Sequence, residues 1–373
     1  MRVFVHLAFG FGDENWARRY DAGALIGIND RDAYGYRRAE AMGATLETSR
    51  DHREGRLGRL VRLGFRWLLG FDLLHAVRNR RRAFTAEVIW THTESQFLAF
   101  CLLFAVLKRG RDRPKLIAQS VWLIDHWDRQ PVLRRMLWRR LIREADVLTF
   151  HSPDNLARAR TMFPEKRCEM VLYGIRADDR YPRDPQRRFG VPLRLLAVGN
   201  DTERDWPCLV EAVRDLPSCR LRIVSTTCPP SLADGIANVE IAGVASNDAL
   251  KTLYHDADIA LLPLKENSHA SGCTVAEEAA LFGLPLIVSD TGGLRAYFAP
   301  DAVRYTPPGD APALRQAILD LGTNPAAALE MAQRAQARMG NDGLSAHSFV
   351  RHHVLLSRAL LDRIPAPAQA VAA

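Results

Sequence analysis

Short apolar runs of strand length recur along this chain and alternate with stretches of helical character. MRVFVHLAF at the start, AEVIWTH (86–92), KLIAQSVWL (115–123), VLTFHS (147–152) and CEMVLYGI (168–175) read as buried strands, with helices over 95–107 and Pro153–Met162. The charged, proline-containing RADDRYPRDPQRRFG (176–190) reads as a linker, after which LRLLAVG (193–199), CRLRIVS (219–225), NVEIAG, ADIALLPL and LPLIVS begin a second alternating array. Strand–helix alternation of this kind marks an α/β protein with parallel, doubly wound sheets. The predicted organisation is a first domain over 1–185, a second over 190–340 and a helical end over 341–373. The final IPAPAQAVAA is low in complexity and expected to be disordered.

Two stretches have a basic amphipathic pattern. In 53–82, Leu57, Leu60, Val61, Phe65, Leu68 and Leu69 recur at helical spacing, Arg56, Arg59, Arg62 and Arg66 take the opposite side, and Trp67 sits at the boundary. VLRRMLWRRLIREAD (132–146) repeats the pattern. Such helices suit an anionic membrane interface, although a helix covering a sheet with solvated arginines reads the same way. The longest apolar run, FLAFCLLFAVL (97–107), is too short to span a bilayer. The N-terminus passes from an apolar strand into the glycine loop Gly10–Asp13 with no cleavage site, unlike a signal peptide.

The densest candidate chemistry lies in HASGCTVAEEAALFGLPLIVSDTGG (269–293). It predicts a tight turn at Ser271-Gly272, a helix opened by a Thr274/Glu277 capping box, a glycine stop at Gly283 and a strand after Pro285. A helix start of this kind seats phosphate, because its first amides are unpaired and its dipole end is positive. Glu278 is left over beside it. Asp30-Arg31-Asp32 is expected to be solvated loop. Ligands of doubly wound sheets sit beyond the carboxyl ends of the strands, which singles out His92, Asp125, His126 and Ser152.

EEAALFGLP followed by IVSDTGG resembles the C-terminal motif of GT-B glycosyltransferases, especially retaining family 4, and ADVLTFHSPDNLARA with EMVLYGI and 238–264 are similar to other segments of that family. The resemblance covers most of 86–340. It implies two Rossmann-like domains facing a cleft, with the terminal helix crossing back to the first domain. It also implies metal-free sugar transfer, with retention, from a nucleoside-diphosphate sugar to a hydroxyl acceptor. On that footing Glu278 holds the donor ribose, and Gly243 and Val244 lie near the base. Gly12, Gly199, His269, Ser271, Gly272, Cys273 and Thr274 approach the diphosphate and sugar. The pattern is broken in three places. Asn200 and Asp205-Trp206 stand where an Arg and a Lys-Gly clamp the diphosphate, leaving Arg204 as the loop's cation. Ala270 replaces an acid eight residues before Glu278. The sugar-contacting His falls near Val121, so Asp125 or His126 takes that role. Asp256 and Asp258 match structural positions rather than a metal site.

Charge adds a partner. Residues 1–188 carry 36 Lys and Arg against 23 Asp and Glu, a surplus of 13, whereas the remainder has 15 against 20, a deficit of 5. Six of seven tryptophans lie in the same basic half. That half would take a glycan or lipid-linked acceptor, and the anionic inner face of the plasma membrane is the surface expected beside it. Nucleic acid is disfavoured for want of aromatics interleaved on a recognisable module. The six cysteines show no C-x-x-C pair or metal spacing, which suits a reduced, cytoplasmic setting. The function expected is glycosyl transfer in polysaccharide or glycolipid assembly, with no cofactor. The alternatives are a non-catalytic scaffold on a degenerate GT-B fold and another GT-B enzyme such as a sugar epimerase.

Overall fold

The computed structural model describes residues 1–107, 113–181 and 183–362. The chain divides into two compact units. One holds residues 1–22, 30–172 and the last helix from Phe349 on; the other holds 23–29 and 173–348. The expected tail lies outside the described residues.

The first unit contains β1 (Arg2–His6), α1 (Asp13–Asp21), β2 (Thr45–Thr48), α2 (Arg56–Leu69), α3 (Leu73–Ala83), β3 (Val88–Thr91), α4 (Glu94–Leu107), β4 (Lys115–Ser120), α5 (Val132–Ile142), β5 (Val147–Phe150), α6 (Pro153–Met162) and β6 (Cys168–Met170). Its six strands are all parallel, in the order β2-β1-β3-β4-β5-β6. Val88, Ile89 and Trp90 of β3 are fully buried, as strands covered on both faces must be. The apolar run 97–107 lies in α4, with Phe97, Phe100 and Phe104 in the core.

The second unit contains β7 (Leu193–Val198), α7 (Trp206–Val213), β8 (Cys219–Val224), β9 (Val239–Ala242), α8 (Asn247–Asp256), β10 (Ile259–Leu262), α9 (Cys273–Leu281), β11 (Leu286–Ser289), β12 (Arg304–Thr306), α10 (Ala311–Thr323) and α11 (Pro325–Arg338). Helix α12 (Ala346–Asp362) ends the described chain. This sheet is also parallel, in the order β12-β11-β10-β7-β8-β9. In each sheet the winding reverses once, between β1 and β3 and between β7 and β10. Such reversals open a crevice beyond the strands' carboxyl ends. The doubly wound α/β class read from the sequence is the one observed.

Four local expectations need correction. Helix α9 begins at Cys273 with Gly272 as its N-cap and no side-chain cap, so Thr274 lies inside the first turn. Glu277 does not cap it; its Oε2 accepts the Ile175 amide at 3.0 Å from full burial. KLIAQSVWL leaves the strand at Ser120, because Glu94 accepts the Val121 and Trp122 amides and holds a turn there. Asp30 and Asp32 are not simply solvated: Asp30 pairs with Arg38 at 2.7 Å and Asp32 accepts the Arg37 amide. Finally, the arginines of α2 do not share one fate. Arg62 is buried, bonded to Glu54 and Asp72 and stacked over Phe9, while Leu57, Leu60, Trp67 and Leu68 face outward.

Candidate functional site

At the switch point of the second sheet, β7 leads into Gly199 and β10 into the turn to Leu264. Arg204 bridges to Leu264, which brings the loop after β7 against β10. The Arg204 guanidinium is buried beneath the loop that opens α9, with Nη1 3.2 Å from Ser271 Oγ. No carboxylate among the described residues lies within ion-pair distance of it. Ser271 instead donates to Asp201, whose charge offsets part of the burial that lowers the Arg204 pKa. Two glycines make room for this cation. A Cβ at Gly199 (φ +149°) would lie 2.3 Å from Arg204 Nε, and one at Gly272 (φ +77°) 2.8 Å from Leu262 and 3.1 Å from Arg204.

A cavity of about 210 Å³ adjoins this cation site. Its walls include Gly199, Gly243, Val244, Thr274 and Glu278, five residues singled out from the sequence. Glu278 projects from the first turns of α9 and is buried. Its Oε2 accepts the Tyr254 hydroxyl at 2.8 Å and its Oε1 the Ile28 amide at 2.9 Å. Burial raises its pKa, while those two donors and Arg204 oppose the rise. The Ile28 amide comes from the short stretch 23–29, which Asn247 also grips: it accepts from Gly27 N and donates to Leu25 O. No sequence signal pointed to this stretch, because its contacts join residues some 220 positions apart.

The loop before α9 contributes less than expected in one respect. The Ser271 amide is taken by Asn267 Oδ1 and the Cys273 amide by the Ala270 carbonyl. Of the Ser271, Gly272 and Cys273 amides, Gly272's alone has no partner among the described residues. Ala270, where the resemblance expects an acid, adopts φ +57°, a strained conformation for a residue with a Cβ. His269 is buried in the same loop. Burial raises the Cys273 thiol pKa, so it is no thiolate nucleophile.

The other predicted residues lie in the first unit. Gly12 precedes α1, donates to Asp51, and passes so close to Ser49 that a Cβ would sit 2.7 Å from its carbonyl oxygen. Ser152 is the N-cap of α6. Asp125 and His126 occupy the turns after β4, and His126 lines a second cavity, of about 580 Å³, at this sheet's own switch point. His92 lines it too, hydrogen-bonded to Tyr36 and stacked on Tyr34 at 3.7 Å. Asp258 is structural, accepting the Gly190 and Arg194 amides and the Arg194 guanidinium. Among the described residues no three His, Cys, Asp or Glu side chains are grouped to hold a metal, and no helix is long and apolar enough to cross a membrane.

Comparison with known proteins places this geometry. Residues 192–324 match the family model described as Glycosyl transferases group 1. No curated protein sequence matches the chain. Among solved structures, the sucrose-phosphate synthase of Thermosynechococcus elongatus superposes with a TM-score of 0.74 at 16% identity, over 97% of this chain and 100% of that one. HepE of Anabaena, in complex with UDP and glucose, gives 0.65 at 11% identity over 96% and 99%. A glycosyltransferase of Rickettsia africae gives 0.58 at 12% over 96% and 98%. The fold is thus GT-B, and the match to the Glycosyl transferases group 1 model lies within its second unit.

Proposed function

We propose that this protein transfers a sugar from a nucleoside-diphosphate sugar to a hydroxyl acceptor, with retention and without a metal, in the assembly of a polysaccharide or glycolipid. One observation carries the reading. A single switch point holds both a buried carboxylate, already engaged by N–H and O–H donors, and a buried arginine under the loop that opens a helix. A ribose presents two hydroxyl donors, which suit Glu278 once the Ile28 amide is displaced from Oε1. A diphosphate suits Arg204, the Gly272 amide and the positive end of α9. As the sugar's bond to the diphosphate breaks, negative charge grows on the leaving oxygen. Fixed positive partners aimed there stabilise that transition state without reorganising. HepE was solved with UDP-glucose bound, which supports a nucleotide sugar as donor here. Asp125 and His126 are the proposed contacts of the reacting sugar. The basic first unit, whose α2 turns Leu57, Leu60 and Trp67 outward, takes the acceptor at an anionic membrane surface.

The test is a thermal-shift panel of nucleoside diphosphates on wild type and Glu278→Ala. One nucleotide at about 100 times its Kd should stabilise wild type by about 2.7 kcal/mol and leave the variant unmoved. No shift with any nucleotide would overturn the transferase reading and favour a non-catalytic scaffold, which Ala270 in the acid's place would then explain.

A further inference from the structure

The 580 Å³ cavity of the first unit has chemistry that the donor reading does not use. It opens where the winding of the sheet reverses, between the loop after β1 (Leu7 to Phe9) and the loop after β3 (His92 to Glu94), and α2 and α5 form its outer wall. Four arginines line it. Arg62 is spoken for by Glu54 and Asp72. Arg59, Arg66 and Arg134 have no carboxylate within ion-pair distance among the described residues; of the lining carboxylates Asp72 is paired with Arg62 and Glu94 accepts the Val121 and Trp122 amides, so the arginines outnumber the acids in the wall. Arg134 is held in place rather than dangling: its Nη1 bonds Gln130 at 2.9 Å, and its Nη2 bonds the Trp67 carbonyl at the end of α2. Its Nε is buried without a hydrogen-bond partner, as is Nδ1 of His6 in the opposite wall. The Arg134 Nε–H, a buried donor left over in an arginine-lined crevice, asks for an anion with acceptor oxygens.

The same two helices bear the largest exposed apolar side chains of the unit. Leu57, Trp67 and Leu133 are 75%, 80% and 81% exposed, with Leu60, Leu68, Val132 and Met136 beside them in sequence. Leu63 both lines the cavity and is exposed, so the apolar surface reaches the charged crevice. The Trp138 indole donates to the Leu69 carbonyl at 2.9 Å and, with Arg134, ties α5 to the end of α2.

We infer that this cavity binds the phosphate or diphosphate head of a lipid-anchored acceptor, with its hydrocarbon chain along the outward faces of α2 and α5. A water-soluble phosphate would use the arginines and leave the leucines and Trp67 unexplained. A plain anionic bilayer would use the surface charge and leave the crevice empty. Only the name acceptor rests on the transferase reading; the binding does not.

The experiment measures binding of the full chain to phosphatidylcholine vesicles doped with farnesyl diphosphate, with farnesol, or with phosphatidylglycerol at matched surface charge. Inorganic diphosphate in solution is the fourth arm. Wild type should bind the farnesyl diphosphate vesicles at least tenfold more tightly than the other two. The Arg59→Gln/Arg66→Gln variant should lose that preference and Arg59→Lys/Arg66→Lys should keep most of it. Equal binding to phosphatidylglycerol would reduce the surface to charge-driven adsorption. Inorganic diphosphate abolishing vesicle binding at comparable concentration would make this a soluble-phosphate site. No preference in any arm overturns the proposal. The nucleotide shift is read on the same samples: preference without a nucleotide shift sinks the transferase reading alone, and a shift without preference sinks this one alone.

Discussion

Gly199 has space for no side chain, and the reason is a buried cation beside it. Its Cβ would take the place of the Arg204 guanidinium, so Gly199→Ala must push that cation from under Ser271 and Gly272. Affinity for a nucleoside diphosphate should fall about tenfold, near 1.4 kcal/mol, while affinity for the bare nucleoside is unchanged. Isothermal titration with both ligands reads the difference, and equal losses would place Arg204 outside diphosphate binding. At this scale the sequence was legible where chemistry is local. Glu278 could be singled out from its neighbours on one short helix. The capping box could not be judged in the same way. Thr274 and Glu277 have the right spacing, yet the Ile175 amide, 102 positions away in the chain, claims the carboxylate. No window of sequence contains that competitor.

Among elements, α2 and the stretch 23–29 are set by tertiary partners. Arg62 is the polar anchor of α2: it meets Glu54 and Asp72, and Arg78 adds a second bond to Glu54 at 2.5 Å. Arg62→Ala leaves two shielded carboxylates short of a cation, a change that costs about 3–5 kcal/mol in buried pairs. Faster hydrogen exchange should appear in α2 first, before the strands respond. Exchange rising evenly over the whole unit would show that α2 is not separately anchored. The stretch 23–29 poses the opposite problem, because it occupies an oxygen of Glu278. Asn247→Ala removes the clamp on Leu25 and Gly27 and should tighten nucleotide binding several-fold by releasing the Ile28 amide. Weaker binding in a titration would mean that the stretch helps to form the nucleotide pocket instead of covering it.

Across the first unit, a cluster of neutral imidazoles links stability to pH. Burial lowers His92 and His353 to about 3 and His151 to about 4, and Tyr36 lies against both His92 and His353. These histidines bind protons more readily unfolded than folded. Their contribution is therefore whole above pH 6.5 and is lost as pH falls toward their folded values, by about 2 kcal/mol for each imidazole at pH 5. The unfolding midpoint should drop between pH 7 and pH 5, and His353→Leu should flatten that slope by about one such increment. A slope unchanged by the substitution would assign the acid sensitivity to other groups.

The two doubly wound sheets follow from residue order alone, since apolar runs of strand length separated by helical stretches have few other ways to be buried. So does the α9 neighbourhood, where loop, helix and strand follow one another directly. Long-range packing settles which arginine of α2 turns inward, what holds Glu277 and Glu278, and that 23–29 reaches Glu278. It likewise settles that Arg59, Arg66 and Arg134 meet around one cavity. Those outcomes depend on which distant groups compete for the same hydrogen bonds and on where the winding of each sheet reverses. Both are properties of strand order, which periodicity along the chain does not encode.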